Sequence, residues 1–197
     1  MGDVEADVKS RILLAAKQLF AEYGYDGTSV RQICEAASAN VALVSYHFGG
    51  KEQLFHAVLV KYFPSSRMNE MQPFKGRPIE GLEYFIEEIC RYQKQEPEMI
   101  RILQLEIALN TPRMRELQLH MMPFWGVLKQ ILMEGKELGI FHFDCLPRTT
   151  NFIIGMMLFN QKQAYWQPLF EGDDEHHDLT YEQEFIQFVK RALGVSV

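Results

Sequence analysis

A chain of 197 residues, 47% hydrophobic and 23% charged, has an ordinary globular composition and length enough for a substantial core. Its net charge of −6 argues against a generally basic nucleic-acid coat protein, and three scattered cysteines, Cys34, Cys90 and Cys145, fit reduced thiols in a cytoplasm better than a disulfide framework. The longest apolar run, Phe152 to Phe159, falls far short of the roughly 20 residues that cross a bilayer, and the acidic start Met1-Gly2-Asp3-Val4-Glu5-Ala6 offers neither an apolar signal core nor a myristoylation pattern.

From Val8 to Tyr23, the residues Ile12, Leu13, Ala16, Leu19, Phe20 and Tyr23 recur at three- and four-residue steps, which predicts an amphipathic helix with these residues inward. Gly24 stands where a left-handed cap is expected, and Gly27 frees the turn after it. Ser29 with Gln32 forms a capping box for a second helix, with Thr28 as the rival cap; Val30, Ile33, Ala36 and Ala37 supply its inner face. After Ser38-Ala39-Asn40 comes a third, short helix with Val41, Val44 and Phe48 as its apolar side, ended by Gly49-Gly50. Lys51 to Phe63 is again helical, with Leu54, Phe55, Val58, Leu59 and Tyr62 inward, until Pro64 stops it.

Residues 64–78 are rich in Pro, Ser and Gly and read as a linker or crossover. Helical periods resume over Ile79–Gln95 (Leu82, Phe85, Ile86, Ile89, Cys90) and from Pro97 (Met99, Ile100, Leu103, Ile107, Ala108). Another runs from Pro112 to about Leu138 (Leu117, Met121, Trp125, Leu128, Ile131, Leu132), with a kink or split expected at Pro123. Gly139–Asp144 is a short turn, and Pro147–Trp166 and Tyr181–Leu193 complete the set. With no strand alternation of weight and no internal repeat, the expected fold is all-α with about nine helices. A three-helix helix-turn-helix head is expected over 1–50, the helix 51–63 connects, and 64–197 forms a helical bundle.

The head carries the chemistry. Two short helices joined by a three- or four-residue turn are the unit that lays its second helix in the major groove of DNA. Residues 1–63 hold six basic and seven acidic side chains, so the acidic excess lies mostly in the remainder. A near-neutral head binds DNA if its few cations face the phosphates. The third helix presents Asn40, Val41, Ala42, Leu43 and Ser45, side chains short enough for close approach. Among these, Asn40 suits a base edge, and Val41 or Leu43 suits a thymine methyl. Tyr46, His47 and Lys51 are candidate phosphate donors, with Thr28 and Arg31 holding the backbone from the second helix. Phe48, Val44, Ile33 and Cys34 read as core.

The segment Ile12–Leu54 resembles the DNA-binding domain of the tetracycline-repressor (TetR/AcrR) family of transcriptional regulators. The resemblance rests on Ala15-Ala16, Leu19-Phe20 with Tyr23-Gly24, Thr28-Ser29-Val30-Arg31-x-Ile33, and Val44-x-Tyr46-His47-Phe48-x-x-Lys51-Glu52-x-Leu54. It implies a three-helix head, a helical effector-binding body and a homodimer seam made by the last two helices, with His47 and Lys51 on phosphate-contacting positions. Ser45 departs from the pattern by replacing an aromatic, which removes one expected backbone contact, and Ala42 stands where Gly is common.

In the body, Met and aromatic residues suit both a core and a pocket for an apolar or aromatic effector. The candidate lining is Met99, Leu103, Met121, Trp125, Phe152, Met156 and Phe159. The last two helices are apolar on more than one face, which predicts a four-helix seam between two copies through Ile153, Met157, Gln161, Phe185, Phe188 and Val189. The pair His176-His177 in the acidic segment 171–178 lacks the fixed spacing of a helical metal site, and no nucleophile constellation or phosphate loop is present. The expectation is therefore a cytoplasmic, non-enzymatic regulator with no metal or cofactor. It binds a double-stranded operator as a homodimer, represses, and responds to an unidentified small molecule. The alternative is a helical interaction or small-molecule-binding protein that has lost DNA binding.

Overall fold

The first helix, α1 (Gly2–Gly27), is built on the predicted stripe: Ile12, Leu13, Ala16 and Phe20 are buried. Its regular path breaks at Gly24, where φ is 72° and ψ 172°, a backbone that L side chains rarely adopt. The break ends the helical period. Tyr23, expected inward, is therefore exposed, and Tyr25 takes the inner place, stacked on Phe20 at 5.7 Å and edge-on to Phe55 at 5.4 Å. In this computed structural model residues 2–63, 74–159, 167–170 and 179–196 are described. Among them are nine α-helices and no strand.

The remaining helices are α2 (Val30–Ala36), α3 (Val41–Phe48), α4 (Lys51–Tyr62), α5 (Pro78–Gln95), α6 (Pro97–Leu109), α7 (Met114–Glu137), α8 (Leu146–Phe159) and α9 (Tyr181–Ala192). They pack as two units that interleave along the chain, one comprising 1–65 with 95–122, the other 66–94 with 123–197. The division falls at Pro123, within α7, where a missing amide donor weakens the helical ladder.

In the first unit α1 to α4 enclose Ile33, Cys34, Val44, Leu54, Phe55, Val58 and Leu59. Helix α6 packs on α1, fastened by the nearly buried Lys17, whose ammonium reaches Glu96 at 2.6 Å and Glu98 at 3.3 Å and lies 4.5 Å from the Tyr62 ring centroid. Burial is the largest influence on Lys17 and pulls its pKa down, but the two carboxylates outweigh it, and the pKa stands above the usual lysine value. In α6, Ile102 and Glu106 are buried, whereas Ile107 and Ala108, expected inward, are exposed.

In the second unit Leu82, Phe85, Ile86 and Ile89 of α5 and Trp125, Leu128, Ile131 and Leu132 of α7 are buried as their spacing predicts. Phe85 stacks on Phe124 at 4.6 Å. The turn after α7 turns Phe141 inward against Gly135, where even a methyl group would come within 2.0 Å of the ring. Helix α9 is joined to this turn by a hydrogen bond from the amide of His142 to the carbonyl of Leu193.

Candidate nucleic-acid interface

The second helix starts on the predicted capping box: Ser29 Oγ accepts from the Gln32 amide and the Gln32 side chain accepts from the Ser29 amide. Thr28 has a different role. It is 2% exposed, and its hydroxyl lies 3.0 Å from the Leu19 carbonyl and 2.8 Å from that of Gly24. A hydroxyl proton engaged with the end of α1 is not free for a phosphate, so the assignment of Thr28 to DNA is corrected to one of holding the loop.

The turn between α2 and α3 passes through Ser38 at φ 50°, a left-handed conformation costing a non-glycine residue of the order of 1–2 kcal/mol. Asn40 follows as N-cap, its Oδ1 accepting from the Ala42 amide at 2.9 Å, which leaves the Nδ2 protons free to donate outward. Gly49, at φ 80°, closes the helix. The single buried residue of α3 is Val44, which seats the helix on the head. Asn40, Val41, Ala42, Ser45 and Tyr46 are all exposed, Tyr46 to 75%, and Leu43 and His47 are half-buried. The His47 ring stands edge-on to Tyr46 at 4.9 Å. Asn40, Val41, Ala42, Ser45 and Tyr46 thus form one outward surface, and Val41, expected on the apolar side, belongs to it.

Two cations flank this surface. Arg31 is exposed and paired with Glu35 at 3.0 Å, an exposed i,i+4 pair of small net worth that a phosphate can displace. Lys51 opens α4, its ammonium 4.1 Å from the Tyr25 ring centroid, and the Arg113 guanidinium lies 4.1 Å from the same centroid. Burial, with the Arg113 charge against it and Asp26 in its favour, holds the Lys51 pKa below the usual lysine value. Arg113 is fixed in turn by Asp26 and by the buried Glu106, each at 3.1 Å. Lys51 is therefore oriented by packing, an arrangement that sequence spacing did not indicate. Lys9 of α1 was also missed: it lies 5.7 Å from the Phe48 ring centroid at the end of α3, far from it in sequence.

The body residues distribute otherwise than expected. Ile153 and Met157 of α8 and Val189 of α9 are buried within their own chain, so their placement on a seam between copies is corrected, whereas Phe185, largely buried, still lines an open groove at the surface. Phe152 (64% exposed), Phe159 and Phe188 (58% exposed) face outward instead, so Phe152 and Phe159 do not line an enclosed pocket. With Gly155, Met156, Tyr181, Glu184 and Phe185, the residues Phe159 and Phe188 form an open apolar groove of about 590 Å³. Met99, Leu103 and Met121 are core residues of the first unit and Trp125 of the second. Gln161 and the 171–178 segment with His176-His177 lie outside the described residues.

Residues 12–58 match the family model described as bacterial regulatory proteins, tetR family. Residues 78–181 match the tetracyclin repressor-like C-terminal domain. The chain belongs to the TetR family. Within that family it is similar to the transcriptional repressor NicS of Pseudomonas putida, 28% identical over 157 residues, which span 77% of this chain and 74% of NicS. It is also similar to the repressor AcnR of Corynebacterium glutamicum, 34% identical over 91 residues, 46% of this chain and 47% of AcnR. Among solved structures, the hemolysin II transcriptional regulator HlyIIR superposes with a TM-score of 0.77 at 29% identity, covering 96% of this chain and 98% of HlyIIR. Like other TetR-family members, the chain is a ligand-responsive transcriptional regulator with a helix-turn-helix head. No helix among the described residues is long and apolar enough to cross a membrane.

Proposed function

We propose that this regulator is a cytoplasmic repressor that binds a pseudo-palindromic operator as a homodimer and is modulated by a small apolar or aromatic effector, without catalysis. The observation that carries the reading is α3 itself: a short helix with one buried anchor, Val44, and a contiguous exposed row of Asn40, Val41, Ala42, Ser45 and Tyr46. Asn40 Nδ2 donates to a base acceptor and Val41 packs on a thymine methyl, while Ala42 and Ser45 keep the approach close. Tyr46, His47, Arg31 and Lys51 donate to phosphates; these contacts set register and orientation and carry no sequence information directly. Leu43, half-buried, packs at the edge of the same surface.

The head 1–50 acts as the DNA-reading module and 64–197 as the effector and dimer module. A two-fold seam is supported by Phe152, Met156, Phe159 and Phe188, an apolar face that a second copy covers with the same face. Within the first unit, the thioethers of Met99 and Met121, with Leu103, supply adaptable walls for the effector.

The purified chain mixed with genomic fragments at low salt is expected to retain a small set of them as a dimer. Failure to retain any fragment contradicts the proposal and favours an interaction protein on the same scaffold.

A further inference from the structure

Helix α4 and the first turns of α7 bring together three side chains that the DNA-binding surface does not use. His56 of α4 meets Glu116 of α7 through its Nδ1, and His120 lies one turn further along α7 on the same face as Glu116. One ligand atom from each of the three lies within 4.8 Å of the others. Four-coordinate zinc, with bonds near 2.0–2.1 Å, needs its donors about 3.3–3.4 Å apart, so rotamer adjustments of the order of an ångström close the set. His56 is on the solvent side, which gives an ion a way in.

A second observation points the same way. The Nε2 atom of His120 is buried and has no hydrogen-bond partner among the described residues. Buried ring nitrogens are ordinarily paired, and an imidazole left without a partner beside another imidazole and a carboxylate has the chemistry of a ligand set. The neighbouring ring of Phe63, stacked on His120 at a centroid distance of 6.4 Å, and the tilted His56 ring at 5.6 Å hold the imidazole in place.

We propose that His56, Glu116 and His120 bind one divalent first-row transition ion of the zinc type, with water completing the fourth position. Two histidines and one carboxylate are borderline-to-hard donors suited to Zn2+ and its spectroscopic substitute Co2+, and unsuited to the all-oxygen shells of Ca2+ or Mg2+. An ion held there ties α4, which follows the DNA-facing helix after only Gly49 and Gly50, to α7. The site concerns metal capture alone and stands whether or not the chain binds DNA.

The test is titration of the full-length, EDTA-treated protein with CoCl2, read by visible absorption, followed by displacement with ZnCl2. One Co2+ per chain with four-coordinate band intensity is expected, displaced by zinc. His56→Ala, whose side chain is exposed, and the near-isosteric Glu116→Gln should each weaken binding at least ~100-fold, beyond the loss that follows removal of an outer-shell partner. Their melting in EDTA should match that of the parent chain. A His142→Ala variant and a His176→Ala/His177→Ala variant should bind as the parent does. Absence of bands in the parent chain overturns the site, as do bands that persist in His56→Ala and Glu116→Gln or that vanish only with the His176-His177 pair.

Discussion

Asn40 separates two roles that most helix-turn-helix substitutions confound. Its Oδ1 caps α3 through the Ala42 amide, and its Nδ2, on an exposed residue, has no partner among the described residues. Asn40→Ala removes both. Loss of the cap costs about 1 kcal/mol, which lowers the melting temperature by roughly 2–4 °C in a chain of this size. Loss of one base contact costs DNA affinity about fivefold, the low end for a base-edge interaction because only one side of the amide is free. Asn40→Asp keeps the cap and places its charge at a helix N-terminus, where it stabilises by about 0.3–1 kcal/mol. The same charge, roughly 6 Å from phosphates at an effective dielectric between 20 and 80, opposes binding by about 1–3 kcal/mol. Stability and affinity therefore move in opposite directions in the aspartate variant. Thermal melts paired with fluorescence anisotropy on a selected operator measure both. An Asn40→Asp protein that binds as tightly as the parent would show that this end of α3 does not face the duplex.

Three further outcomes follow from particular contacts. Gly135→Ala gains about 1 kcal/mol of helix propensity, yet its methyl would stand 2.0 Å from the buried Phe141 ring; overpacking costs of about 1–3 kcal/mol should prevail, and a raised melting temperature would refute the packing described. Phe188→Glu alters an exposed position, so the monomer should keep its fold. The dimer should loosen by about 3–6 kcal/mol, two aromatics per seam at roughly 1.5–3 kcal/mol each, and sedimentation that still shows a tight dimer excludes this face. Burial, with Glu182 adding to it, pushes the Cys90 thiol up to about 11, and burial also raises Cys34. At pH 8 only about one Cys90 thiol in a thousand is then ionised, so Ellman's reagent should find Cys145 fast and the other two slow until guanidinium unfolds the chain.

The head was largely legible because its signals are local: a capping box, a three-residue turn, two closing glycines and a helix with one anchoring apolar residue. Where it misled, the cause was also local. The Gly24 break in α1 ended the period that placed Tyr23 inward and handed the place to Tyr25. Thr28 read as a rival cap and a contact to the DNA backbone, but the same break leaves carbonyls that its hydroxyl satisfies. In α8, Phe152, Ile153, Met156, Met157 and Phe159 crowd most of the circumference, so the period fits two phases equally well, and only packing chooses Ile153 and Met157 for the interior. The Tyr25 ring beside Lys51 and Arg113, and the His56, Glu116 and His120 cluster, join residues far apart in sequence. No spacing rule reaches them.

The most direct measurement of the central claim is a hydroxyl-radical footprint of the intact protein on a retained genomic fragment, with Asn40→Asp alongside. The account predicts two protected patches related by a two-fold axis, with major-groove centres about 34–36 Å apart or a multiple of that, and weaker protection by Asn40→Asp. A single unpaired patch, or a footprint indifferent to Asn40→Asp, would contradict it.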